Sequence, residues 1–205
     1  MERIFPASWI EWDYLKWYAI HQWNQAPWMD HLMPFLRNQW TWAPLYLFLL
    51  LFFPLNFGRR GWIWCLGFLI CFALADYGSA SIIKPHFARL RPCNDPLLMN
   101  LYRDLVPCGS GYSFPSSHAS NHFALGGFIS LTIGRRYWWT VVLAMFWAAS
   151  ISFAQVYVGV HFPLDVLAGA LFGFLISLPV AWAFQRWVGL YSQVSVSRTP
   201  PGGSL

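Results

Sequence analysis

Apolar residues in this chain run in long continuous Leu/Phe/Ile/Trp blocks broken by small groups of charges. Uncharged stretches separate Arg37 from Arg59, Arg136 from His161, and Asp165 from Arg186. Each is about 20 residues or longer, the length a helix needs to cross a bilayer core. The pattern predicts five spanning helices: Trp40 to Phe57, Trp62 to Ile83, a shorter one from Ser116 to Gly134, Tyr137 to Val158, and Pro163 to Trp187. Asp76 is the one charge inside the second. Such runs cannot be lipid-facing strands, because in lipid each backbone polar group needs a partner within its own segment.

The first 37 residues break this pattern. They mix Glu11, Asp13, Lys16, Asp30 and Arg37 with Trp9, Trp12, Trp17, Trp23 and Trp28, and the longest uncharged run, Trp17 to Met29, is too short to span. Tryptophan favours the membrane–water boundary, so this segment reads as one or two helices lying in the interface. A sixth, irregular span is the alternative. No basic start followed by a short apolar core marks a signal peptide. The expected organisation is an all-α membrane protein: an N-terminal interfacial helical segment over 1–37, a bundle of five to six transmembrane helices over 38–190, and a disordered tail over 191–205.

Composition supports the class. Hydrophobic residues make up 57% of the chain and charged residues only 10%, too few polar groups to coat a soluble domain of this size. The formal charge of +5 would invite a nucleic-acid partner, but topology accounts for it. Arg59 and Arg60 join spans one and two, Arg135 and Arg136 join three and four, and Arg186 follows span five. Alternation puts all five on one side, which the positive-inside rule makes cytoplasmic. The loop from Lys84 to His118 and the turn at His161 therefore share the extracytoplasmic side.

Ionisable groups at membrane depth are costly, which makes them functional candidates. Lys84, Arg89, Arg91, His118, His161 and Asp165 are far apart in sequence, yet topology brings them to one membrane face. In Ser113-Phe-Pro-Ser-Ser-His118, Pro and Ser ahead of an apolar run signal a helix start, whose free N–H groups at Ser116 to His118 suit an anion. In His161-Phe-Pro-Leu-Asp165, Pro163 fits the first helical position. That places Asp165 in the first turn, where its carboxylate can reach back to His161 and fix the imidazole tautomer. Two cations, a helix N-terminus, an Asp-oriented His and a second His form a phosphoryl-transfer set. Cys65 and Cys71, inside span two, read as apolar packing residues. Cys93 and Cys108 flank the extracytoplasmic loop, where a disulfide would persist and would brace it.

These motifs resemble those of the type 2 phosphatidic acid phosphatase (PAP2) family. Lys84-Pro-His-Phe-Ala-Arg-Leu-Arg91-Pro92 is similar to its KxxxxxxRP motif, Pro115-Ser-Ser-His118 to its PSGH motif, and Ala154-Gln-Val-Tyr-Val-Gly-Val-His161-Phe-Pro-Leu-Asp165 to its SRxxxxxHxxxD motif. The resemblance covers roughly Trp40 to Trp187. It implies a bacterial integral-membrane lipid phosphatase of the cytoplasmic membrane, needing no metal ion or cofactor, with its site facing the periplasm or exterior. By the same resemblance His161 is the nucleophile, Asp165 orients it, and His118 protonates the leaving oxygen. Lys84, Arg91, Ser116 and the backbone at Ser117 hold the phosphate. The substrate would be a membrane lipid phosphate or diphosphate, such as undecaprenyl diphosphate, phosphatidylglycerol phosphate or a phosphate of lipid A.

Two positions depart from the pattern. Ser117 stands where the motif has glycine. Ala154-Gln155 stands where it has Ser-Arg, so a cationic bidentate phosphate contact is missing and Arg89 is the nearby candidate to replace it. Two other readings compete. His118 and His122, four residues apart, could with His161 and Asp165 build a metal site, although Lys84 and Arg91 disfavour a further positive centre there. A lipid-binding or transport protein on a degenerate phosphatase scaffold has only the missing arginine in its favour. Asp76, two helical turns before Lys84, reads as a structural partner of a buried polar group.

Overall fold

The computed structural model describes residues 5–23 and 25–191, and the tail expected to be disordered lies, from Ser192 onward, outside them. Every regular element in the described residues is helical. Helices α1 (Ala7–His21) and α2 (Pro27–Arg37) precede α3 (Ala43–Phe57) and α4 (Arg59–Tyr77), which a π-helical turn over Gly78–Ile83 continues into the short α5 (Lys84–Phe87). A long loop leads to α6 (Ser117–Thr132), and α7 (Trp139–Tyr157) and α8 (Pro163–Trp187) complete the bundle. Four segments are long and apolar enough to cross a membrane: Gln39–Phe57, Arg59–Asn94, Trp139–Tyr157 and Pro163–Trp187.

The third expected span forms α6, which is shorter, at 16 residues. It is the most enclosed helix, buried along Ala119 to Asn121, Ala124 to Phe128, and at Ser130 and Thr132. A helix wrapped by its neighbours needs neither the length nor the hydropathy of a lipid-facing one, which is why Ser, Asn, His and Gly sit in it. The outermost span is the opposite case, for α3 buries only Phe53.

Small residues set how closely α6 meets α8. Along α8, Asp165, Gly169, Gly173, Ser177 and Ala181 are all buried, a four-residue repeat that forms one stripe on the helix. A β-carbon at Gly173 would lie 1.9 Å from the Ser120 carbonyl oxygen, and one at Gly169 would lie 2.5 Å from that of Ser116. Backbone-to-backbone approach through small residues is how membrane helices pack without help from the hydrophobic effect. The same stripe fixes Asp165 at the site, and the Ser116 N–H donates to the Asp165 carbonyl at 2.8 Å. Gly173→Ala is expected to destabilise the protein by about 1–3 kcal/mol or more, since helix backbones rather than a flexible side chain must move. Leu171→Ala, on the exposed side of α8, is expected to leave thermal unfolding in detergent close to wild type.

The two N-terminal helices pack over the end of the bundle where α6 and α8 begin. Helix α1 buries Asp13, Trp17 and His21 at four-residue spacing. His21 Nδ1 lies 2.7 Å from the Tyr157 carbonyl, and its Nε2 accepts from the Arg103 N–H at 2.8 Å. Asp30 of α2 accepts from the Tyr157 hydroxyl at 2.8 Å and is paired with Arg103. The loop between α5 and α6 is thereby tied to both N-terminal helices, and a Cys93–Cys108 disulfide closes it on itself. Cys65 and Cys71 are buried free thiols.

Candidate active site

Pro163 takes the first helical position of α8 with Phe162 as the preceding cap residue, and the Asp165 Oδ2 accepts the Phe162 N–H at 2.8 Å. Asp165 therefore faces back along the chain toward His161, whose Nδ1 stands 3.5 Å from that same oxygen. The turn from α7 to His161 passes through Gly159 at φ +83, a left-handed conformation that side chains disfavour, and a β-carbon there would meet the His21 and Tyr102 rings. The Gln155 carbonyl accepts the Val160 and His161 N–H groups at 3.2 and 3.3 Å. His161 is thus held by the end of α7 on one side and the start of α8 on the other.

The other face of the imidazole meets a cation. Arg91 Nη1 lies 3.1 Å from His161 Nε2 and donates to the Val160 carbonyl at 3.2 Å, while its Nε donates to Gly111 at 2.9 Å. A guanidinium only donates, so Nε2 must carry the lone pair and the ring proton must sit on Nδ1, toward Asp165. His161 is 2% exposed, and burial, reinforced by the charges of Arg91 and Lys84, pushes its pKa down to about 4 against the pull of Asp165. The ring is neutral at physiological pH. Lys84, also buried, donates to the Tyr112 carbonyl at 2.8 Å.

Ser116 caps α6, its hydroxyl accepting the Ala119 N–H at 3.4 Å, so the unfilled donors of the first turn belong to Ser117 and His118. Ser117 lies in the helix itself, where a β-carbon is no obstacle, and this accounts for a serine at a position that is glycine in the motif. Its hydroxyl is buried without a partner. A cavity of about 440 Å³ beside His118 is lined by Trp40, Tyr46, Phe72, Asp76, Asn121 and His122, among others. His122 uses both ring nitrogens inside the protein, Nδ1 at 2.7 Å from the His118 carbonyl and Nε2 at 3.1 Å from the Tyr46 hydroxyl. Among the described residues, no three His, Cys, Asp or Glu side chains converge as metal ligands.

One expectation from the sequence changes. Arg89 does not serve as a loose spare cation, for it is 2% exposed and held between two carboxylates, Asp165 at 2.7 Å and Asp13 at 2.5 Å. Ala88, at φ +47, turns the chain at the end of α5 just before it. Asp76 accepts from Asn121 Nδ2 at 2.8 Å, and so is the structural partner of a buried polar group, as expected.

The sequence reading missed Asp13 and Arg37. Asp13 Oδ1 also accepts the Leu164 N–H at 2.8 Å, so one carboxylate of α1 secures both Arg89 and the first turn of α8. Burial raises its pKa to about 6 despite Arg89. The visible signal was its four-residue register with Trp17 and His21. Arg37 donates from Nε to Gln155 Oε1 at 3.4 Å. Its signal was a lone arginine at the end of span one opposite Arg59 and Arg60, where the positive-inside rule leads one to expect none.

A buried histidine with Asp165 at Nδ1 and Arg91 at Nε2, next to a helix start in an all-helical bundle, is the kind of set that phosphoryl transfer uses. The chain belongs to the PAP2 superfamily, whose sequence profile matches residues 62–188. It is 32% identical over 154 residues to a lipid A 4′-phosphatase of Bacteroides thetaiotaomicron, covering 72% of this chain and 66% of that one. To an undecaprenyl-diphosphatase of Sulfolobus acidocaldarius it is 32% identical over 163 residues, covering 78% and 73%. The fold is shared with the PAP2-type phosphatidylglycerolphosphate phosphatase of Bacillus subtilis at a TM-score of 0.70 and 22% identity, with 90% of each chain covered.

Proposed function

We propose that this protein hydrolyses the phosphomonoester or diphosphate headgroup of a membrane lipid, at the extracytoplasmic face of the membrane, through a phosphohistidine on His161. The observation that carries the reading is the pair of contacts on one imidazole, Asp165 at Nδ1 and Arg91 at Nε2. A phosphate arriving beside Arg91 and Lys84 takes over the Arg91 Nη1 donor that Nε2 otherwise accepts, and this frees the Nε2 lone pair. Nε2 attacks phosphorus, the P–O bond to the lipid breaks, and His118, charged as imidazolium beside the phosphate anion, gives its proton to the departing oxygen. Asp165 stabilises the positive charge that appears on His161. Water then attacks the phosphohistidine while His118 takes its proton, the P–N bond breaks, and inorganic phosphate leaves with His161 restored.

The cavity beside His118 opens between α3, α4 and α6, on the side of the acid that protonates the leaving group. An apolar tail can lie there in the bilayer while the phosphate sits against Arg91. Lys84, Arg89, Arg91, His118 and His161 stand opposite Arg59, Arg60, Arg135, Arg136 and Arg186 along the alternating spans, which supports an extracytoplasmic site. The similarity to a lipid A 4′-phosphatase and to an undecaprenyl-diphosphatase supports those two headgroups as the first to try, and phosphatidylglycerol phosphate is the third.

The test is a phosphate-release panel over these three lipids and a diacylglycerol phosphate in detergent micelles containing EDTA, with His161→Ala as the blank. Release from at least one lipid, unaffected by chelator and absent in the blank, is the expected result. Release that EDTA abolishes and zinc restores would instead favour a metal site. Binding of the lipids without release from any would favour a non-catalytic lipid-binding protein.

A further inference from the structure

Position 155, the place of the motif arginine, is not simply vacated. Gln155 is fully buried in α7, its Oε1 accepts from Arg37 Nε at 3.4 Å, and its Nε2 is buried without a partner. A side chain so placed brings no charge, but it can hold one. Arg37 ends α2 and is partly buried, and the Gln155 it meets is the residue whose carbonyl accepts the His161 N–H at 3.3 Å, which sets Arg37 one residue away from the proposed nucleophile. The bond to Gln155 engages Nε, and the terminal nitrogens carry the paired donors with which arginine grips phosphate.

We infer that Arg37, held by Gln155, is a phosphate-binding residue of this site and supplies from the N-terminal region the guanidinium that the motif pattern places on α7. The assignment rests on the phosphatase reading above. It gives Gln155 a positioning role and makes α2 part of the active site. Arg37 also closes α2 as a basic residue in its last turn, where a cation stabilises the helix end whether or not a phosphate binds. That purely structural role is the alternative to exclude.

The experiment uses the full chain in detergent, as wild type, Arg37→Ala, Arg37→Lys, Arg37→Ala/Gln155→Arg and His161→Ala. Phosphate release and equilibrium binding of inorganic phosphate are measured, with thermal unfolding as the check on folding. Arg37→Ala is expected to lower kcat/KM by a factor on the order of 10²–10³, as removal of one transition-state donor does, and to weaken phosphate binding. Arg37→Lys keeps the helix-end charge but not the paired donors, so it is expected to fall between wild type and alanine. The double variant returns a guanidinium to the motif position and is expected to recover at least about tenfold of the loss.

Activity and phosphate affinity of Arg37→Ala within about twofold of wild type would overturn the assignment, since a lost charged contact costs far more. So would a folded double variant no better than Arg37→Ala, or lysine equal to arginine in both measurements. If the double variant unfolds early, the order arginine, lysine, alanine in phosphate affinity decides alone. If the wild type releases phosphate from no lipid, the phosphatase reading fails, and the phosphate-binding series still decides whether Arg37 belongs to an anion site.

Discussion

His161→Ala is expected to reduce phosphate release by a factor on the order of 10⁴ or more, because in the proposed mechanism His161 carries the covalent intermediate and loss of a nucleophile removes the whole pathway. Because His161 is buried, its truncation leaves a cavity that costs some stability, and release is therefore compared per folded protein. The intermediate itself is open to measurement. Wild type quenched during turnover of a labelled lipid phosphate should carry label stable to alkali and released by acid, and His161→Ala should carry none. Retention of more than about 1% of wild-type activity in His161→Ala would place the nucleophile elsewhere.

The pH dependence of labelling follows from the burial of this ring. With its pKa pushed down to about 4, about 90% of His161 is neutral at pH 5, against only about 3% for an imidazole at the ordinary value near 6.5. The extent of initial labelling is therefore expected to fall little between pH 7 and pH 5. A fall centred near 6.5 and traced to His161 would mean that the ring is not buried as described.

Arg89→Met is expected to have the largest effect on stability, a loss of about 3–5 kcal/mol, because it leaves the carboxylates of Asp13 and Asp165 buried without their shared cation. Both are 0% exposed, so water cannot take over that role. Activity should fall as well, since Asp165 loses the partner on Oδ1 that turns Oδ2 toward His161. Thermal unfolding in detergent checks the first effect and phosphate release per folded protein the second. Unchanged melting would show that Arg89 is not enclosed as described.

Asp13 adds a pH signature to this cluster. Its folded pKa of about 6 lies above the ordinary carboxylate value of 3.8, so between these values the folded protein holds a proton that the unfolded chain releases. The stabilisation from this group is full below 3.8 and is lost as pH rises through about 6. Asp13→Asn should flatten that part of the stability curve, which separates its contribution from that of His161, whose lowered pKa acts with the opposite sign.

Much of the site was legible because its constraints are local. Pro163 and Asp165 define a helix start within three residues, and that start turns Asp165 toward His161. Asp76 is a structural partner of a buried polar group, as its place inside an apolar span suggests, and the partner is Asn121. Arg89 was read as a spare cation because a loop arginine between Lys84 and Arg91 shows nothing of what it touches. Only the docking of α1 brings Asp13 to it.

The sequence by itself determined the class, the long apolar helices and the meeting of His161 with Asp165. Apolar length and charge placement act through the bilayer, and helix-start chemistry acts over one turn, so neither needs to know how the helices pack. The tertiary structure decided which cations serve which anions. Arg89 belongs to Asp13 and Asp165, and Arg37 reaches Gln155 across 118 positions of chain. Those pairings depend on how the N-terminal helices settle over the bundle, and on an α6–α8 approach that Gly169 and Gly173 permit. Such distances between elements are set by the packing of many side chains at once, and no short stretch of residues encodes them.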